Sequence, residues 1–216
     1  MAIKSRIFAA AAFALLGALG ALAPNAGAAM VETTGPLKKN DAVALRDSMR
    51  NLWAEHVIWT RAYVVAAVAG TPDATAVSIR LLKNQADIGE AFAPYYGKEA
   101  AAKIEQLLRQ HILIAAEVVD AVKIGDDVKF RDADKRWHDN AAEIAAYLSG
   151  INPLLSKRAL NDMFNDHLDL TMKEAVSRLN KKWVDDIASF DEILRQMMMM
   201  ADDLSNAIIK QTPDKF

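Results

Sequence analysis

The sequence predicts an all-α fold, a bundle of about six helices built from three repeated antiparallel helical hairpins. Three observations predict it. Apolar residues recur at alternating steps of three and four along most of the chain, the spacing that puts them on one face of a helix. Strict apolar/polar alternation, the mark of half-buried strands, is absent. A motif also recurs: Leu52-x-x-x-His56, Leu107-x-x-x-His111 and Met163-x-x-x-His167 lie 55 and 56 residues apart. Asn84-Gln85-Ala86-Asp87-Ile88 and Asn140-Ala141-Ala142-Glu143-Ile144 are 56 apart, with a fainter echo in Met200-Ala201-Asp202-Asp203-Leu204. A period of this size marks a supersecondary unit that has been copied and stacked.

Leu45, Met49, Leu52, His56, Trp59 and Tyr63 form the first seam, and Val77, Leu81, Asn84, Ile88 and Ala91 the second. The third runs Ile104, Leu107, His111, Ile114, Val118, and the fourth Ala133, Trp137, Asn140, Ile144, Tyr147. The fifth, Leu160, Met163, His167 and Leu170, weakens where Glu174 and Ser177 fall on the stripe. Phe190, Ile193, Met197, Met200, Leu204 and Ala207 make the sixth. Gly70-Thr71-Pro72-Asp73 and Gly125-Asp126-Asp127 end one helix and cap the next. Pro94, Pro153 and Pro213 close the second helix of each unit, which sets repeats at about 40–95, 97–153 and 156–213. Around Asn180-Lys181-Lys182 there is neither Gly nor Pro, so a third turn there follows from the repeat, with one continuous bent helix as the alternative.

Lys4 and Arg6 precede an apolar run from Ile7 to Leu22, and Ala26, Ala28 and Ala29 supply small residues for cleavage near Ala28 or Ala29. Residues 1–29 therefore read as a signal peptide, residues 30–39 as a flexible lead-in and 40–216 as one domain in a periplasmic or secreted product without a membrane anchor. There is no Cys, which excludes disulfides, thiol catalysis and thiolate metal sites. Loss of Lys4 and Arg6 leaves about 24 basic against 28 acidic residues, so nucleic acid is not an expected partner.

In an antiparallel hairpin, residues equally far from the turn share a height. His56 and Asn84 each stand 14 residues from Gly70, while His111 and Asn140 stand 14 and 15 from Gly125. Each His is thus expected to face its Asn, and His56, Asn84, His111, Asn140 and His167 to form one layer. Neutral imidazoles make this a candidate metal site, with His56, His111 and His167 as ligands and Asp87 or Glu143 as further ligands or orienting groups. Zinc, copper and nickel all accept imidazole. Asn84, Asn140 and Met200 are candidate ligand-binding residues. Met197 to Met200 suggest Cu(I) through thioether, and a noncovalent haem is a variant of that idea. No Glu-x-x-His, His-Glu-x-x-His, phosphate-loop or nucleophile-elbow motif occurs. His138, off the seam, reads as solvated, and Asp185, Asp186 and Glu192 as helix-face charges. Arg80 and Arg136, each four residues before a seam Asn, read as surface ion pairs or as a cover for the layer.

The ordered string Leu52-Trp-x-x-His56, Leu81-Leu-Lys-Asn84-Gln-x-Asp87-Ile-Gly, His111-Ile-Leu-Ile-Ala-Ala-Glu117, Asn140-x-x-Glu143-Ile and His167-Leu-Asp-Leu-Thr171 resembles a group of small exported bacterial helical proteins. Some of these carry a glycosyltransferase label, for which these residues offer no motif. The resemblance implies the helical fold and export, and implies no mechanism.

The functional expectation is a non-catalytic bundle that binds a metal ion or small ligand through its His/Asn layer. The alternative is an envelope interaction or chaperone-like module with an envelope protein partner, in which the layer is only structural. A hydrolase or lyase would need a perturbed carboxylate among Asp87, Glu117 and Glu143.

Overall fold

A computed structural model describes the backbone from residue 38 and the side chains from residue 41 to the C-terminus. The signal peptide and most of the lead-in expected from the sequence lie outside the described residues. The fold is all-α: α1 (Lys38–Ala69), α2 (Ala74–Ile124), α3 (Asp127–Ile151), α4 (Lys157–Leu179), α5 (Trp183–Gln211) and a 3-10 turn at Pro213–Lys215. No strand occurs among the described residues.

Local chemistry sets the helix ends. Gly125 takes φ 70° and stops α2, then the Asp126 carboxylate accepts the Lys129 N–H at 3.0 Å and starts α3. Ser156 caps α4 in the same way through the Ala159 N–H. Between α4 and α5 the chain does turn, and without glycine it places Lys181 in the left-handed region at φ 59°. That conformation costs an L-residue about 1 kcal/mol or more and is held by tertiary packing.

α2 is helical through Pro94 and breaks only at Gly97, whose φ 84° and ψ 168° are open to glycine alone. The segment after Gly97 runs back along the one before it, since Arg109 donates to the Leu82 carbonyl at 3.3 Å. Gly89 permits the close approach: a Cβ there would lie 2.8 Å from the Ala101 carbonyl oxygen and 2.9 Å from the Glu105 Cβ. Gly89→Ala is therefore expected to lower stability by about 1 to 3 kcal/mol despite alanine's better helix propensity. An unchanged or higher melting temperature would show that the two segments can separate freely.

The long-range contacts join α1 to α2, α4 and α5, α2 to α3 and α4, α3 to α4, and α4 to α5. A main core results, with Met49, Trp53, Phe92, Leu107, Leu168 and Leu204 buried in it, and a smaller cluster of Val64, Ala67, Val119 and Ala175 lies apart from it. At the end opposite the Gly70, Gly125 and Lys181 turns, polar ties close the bundle. Tyr96 donates to Gln211, Asn152 donates to Tyr96, and Gln211 donates to the Ile151 carbonyl. No helix among the described residues is long and apolar enough to cross a membrane.

Candidate functional site: a neutral polar layer and an adjoining groove

Three carboxamides repeat one device. Asn84 Nδ2 donates to the Leu52 carbonyl at 3.0 Å, Asn140 Nδ2 to Leu107 at 3.2 Å, and Gln196 Nε2 to Met163 at 3.0 Å. Each acceptor lies one helical turn before a histidine, so each carboxamide locks the register of a neighbouring helix at the height of His56, His111 or His167. The third member is Gln196, where Met200 was expected. Its signal was present in the sequence, because positions 84, 140 and 196 are 56 apart, but the change from Asn to Gln hid it.

The histidines do meet. His56 and His167 have ring centroids 5.9 Å apart, and His111 is close enough for its charge to oppose protonation of both. All three are buried. Burial is the main cause that holds His111 down to about 4 and His167 to about 3, and it pushes His56 well below the usual imidazole range. The layer is neutral at pH 7.

His111 has both ring nitrogens committed. Trp137 Nε1–H donates to His111 Nε2 at 3.1 Å, which assigns the proton to Nδ1, and Nδ1–H donates to Asn140 Oδ1 at 2.8 Å. No lone pair is left there for a metal. His56 does not face Asn84 directly, because Gln85 stands between them: its Nε2 contacts Asn84 Oδ1 at 3.0 Å, the Leu81 carbonyl at 2.9 Å and His56 Nδ1 at 3.3 Å. His167 neighbours Gln196, yet His167 Nδ1 and Gln196 Oε1 remain buried without hydrogen bonds, as do Gln85 Oε1 and Trp53 Nε1.

The two candidate carboxylates are occupied elsewhere. Asp87 pairs with Lys83 at 2.6 Å and the half-exposed Glu143 with Lys103 at 3.1 Å. Among the described residues no group of three or more His, Asp or Glu side chains is placed to hold a metal ion. Arg80 pairs with Glu55 and lies over Trp59, while Arg136 joins Glu117 and Asp132 at the surface. His138 is part-exposed beside Asp134.

The reading of Asp186 as a helix-face charge is corrected by the structure. Asp186 is fully buried and shares Arg61 with Glu174, at 2.8 and 2.6 Å, and it also takes Arg178 at 3.2 Å. Glu174, which weakened the fifth seam, is raised to about 7, chiefly by burial against the opposing pull of Arg61. This ion cluster joins α1, α4 and α5. A helical periodicity cannot distinguish such a charge from a solvated one, because its partners come from other helices.

Beside the layer, α4 and α5 part to leave a groove of about 510 Å³. Its walls include Leu155, Leu160, Met163, Met200 and Leu204, with Gln196 among the lining residues. Met199, exposed by 62%, flanks it, and Asp203 and Lys210 stand along the same side of α5. Two enclosed cavities deeper in the core are far smaller, about 10 and 20 Å³. Of Met197 to Met200, only Met199 and Met200 line the groove, whereas Met197 is core.

No protein-family model matches the chain, and no curated protein or solved structure matches it either. The resemblance noted from the sequence therefore rests on its residues alone.

Proposed function

We propose that the protein is a non-catalytic binding module of the cell envelope, exported and built from three copies of a helical hairpin, in which the His and carboxamide layer is structural and the α4–α5 groove takes a small apolar or amphipathic ligand. The groove is the observation that carries this reading. Its volume lies in the range of small-molecule sites, and its wall is apolar with a few polar groups at the rim. Methionine suits such a wall because an unbranched thioether repacks around varied shapes.

The layer supports the structural half of the reading. His111 is satisfied on both nitrogens, His56 Nδ1 has Gln85 Nε2 at 3.3 Å, and the His56 and His167 rings pack side by side with centroids 5.9 Å apart. Burial of neutral groups leaves no isolated charge inside, and the carboxamide bonds to Leu52, Leu107 and Met163 fix register.

The test uses N-phenyl-1-naphthylamine, whose fluorescence rises on entering an apolar site. The expected result is saturable binding to the wild type. Ala159 lines the groove from an exposed position, so Ala159→Trp fills the space with little cost to folding. That variant is expected to lose most of the signal, by about tenfold or more in affinity, with an unchanged melting temperature. Full binding by Ala159→Trp would sink the groove as the site. Elemental analysis of the same protein decides the metal reading: one zinc, copper or nickel per chain, lost on changing His56 and His167 to Ala, would return the function to the layer.

A further inference from the structure

We infer that Met199 is an oxidation-sensitive cover of the α4–α5 groove, and that an oxygen-transferring oxidant such as hydrogen peroxide converts its thioether to the sulfoxide and loosens the hold on an apolar ligand. The inference rests on the groove being the binding site and adds a control on its occupancy.

A comparison along the chain shows what covers the same place elsewhere. Counting back by 56, the spacing between Asn140 and Gln196, sets Lys103 in the place of Ala159, Glu143 in that of Met199 and Tyr147 in that of Asp203. There Lys103 of α2 and Glu143 of α3 meet at 3.1 Å and tie their helices together, and Tyr147 packs on the main core. At the groove the same three positions carry a methyl group, a thioether and a carboxylate. Ala159 and Met199 can form no ionic tie, so on the α5 side of the rim the apolar contact of Met199 takes its place.

Exposure makes that thioether the one an oxidant reaches first. The chain has no Cys to compete for it. Among the described methionines Met199 is exposed by 62%, while Met49, Met197 and Met200 are buried and Met163, Met172 and Met198 are half-buried. The sulfur lone pair attacks one peroxide oxygen and the O–O bond breaks. That oxygen stays on sulfur, its proton leaves with the departing hydroxide as water, and the thioether is oxidised as the peroxide is reduced. The sulfoxide is polar and holds its oxygen in water, so the side chain withdraws from the wall it shares with Met163, Met200 and Leu204.

The full mature chain is treated briefly with hydrogen peroxide and then catalase, oxidised sites are located by peptide mass spectrometry, and N-phenyl-1-naphthylamine is titrated. The expected result is one oxygen gained at Met199 ahead of the other described methionines, with affinity lowered about fivefold and recovered after treatment with methionine sulfoxide reductases. Met199→Leu keeps an apolar cover without the sulfur, and it is expected to bind like the untreated wild type before and after peroxide. Met199→Gln is expected to bind about fivefold more weakly with no oxidant present. The exposed position leaves the melting temperature of both variants unchanged. Affinity that is indifferent to oxidation at Met199, that falls equally in Met199→Leu, or that follows earlier oxidation of another methionine would overturn the cover and leave the groove standing. Absence of saturable binding by the untreated wild type would overturn both.

Discussion

Replacing Arg61 by methionine is expected to cost about 3 to 5 kcal/mol, a large part of a typical domain stability of roughly 5 to 15 kcal/mol. Among the described residues Arg61 is the one cation in ion-pair contact with Glu174 and one of two with Asp186. Methionine keeps the aliphatic stem against Phe190, over which the guanidinium now lies at 4.9 Å, so the packing loss is small and the electrostatic loss dominates. Two carboxylates would then remain buried with Arg178 alone. The cheapest escape is protonation of Glu174, already raised to about 7, which makes a specific signature. The damage is expected to shrink as pH falls from 8 to 6, and Arg61→Met combined with Glu174→Gln is expected to regain much of the loss at pH 8. Urea midpoints across that range read both effects. A pH-independent cost, or a double variant no better than the single, would show that the cluster is held by packing and its charges contribute little.

Acid is expected to destabilise the wild type steeply between pH 6.5 and 5. The sign follows from which state binds more protons. His56, His111 and His167 are depressed in the folded protein, so between 6.5 and about 4 the unfolded chain takes up protons that the native layer refuses. Their contribution is present above 6.5 and is lost as pH falls. By pH 5 each histidine costs about 2 kcal/mol, or roughly 6 kcal/mol together. Glu174 acts the other way. Raised from 4.5 to about 7, it protonates in the folded state first and returns about 2 kcal/mol over the same range. The histidines outnumber it, and a net loss near 3 to 4 kcal/mol remains, equivalent to a fall in melting temperature of about 10 °C for a domain of this size. Calorimetric scans at pH 7, 6 and 5 check this, and a melting temperature that stays level or rises towards pH 5 would contradict a buried, neutral imidazole layer.

The parts of the candidate site differ in how legible they were. His56, His111, His167, Asn84 and Asn140 announced themselves because polar residues at seam positions must be buried, and a fixed spacing placed them at one height. Gln196 carries the same cross-helix hydrogen bond and Gln85 bridges Asn84 to His56, but both were missed. Gln85 sits next to Asn84 and enters the layer through its longer side chain, and Gln196 makes with a longer amide the bond that Asn84 and Asn140 make. Asp87 and Glu143 kept the predicted spacing yet turned to Lys83 and Lys103, because one helical turn beyond a buried seam residue is also where a carboxylate reaches water.

Helical periodicity, the absence of alternating strands and the glycine punctuation determined the all-α fold from sequence alone, since these depend on residues within a few positions of each other. The recurrence of histidine likewise determined that three imidazoles meet. Tertiary structure alone decided what those groups do. Whether a ring nitrogen is free depends on Trp137 arriving from α3, whether Asp186 is a surface charge depends on Arg61 from α1, and whether α4 and α5 close or part depends on side chains from both. Such choices are made by groups that meet across the bundle, and a linear pattern holds no record of their distance.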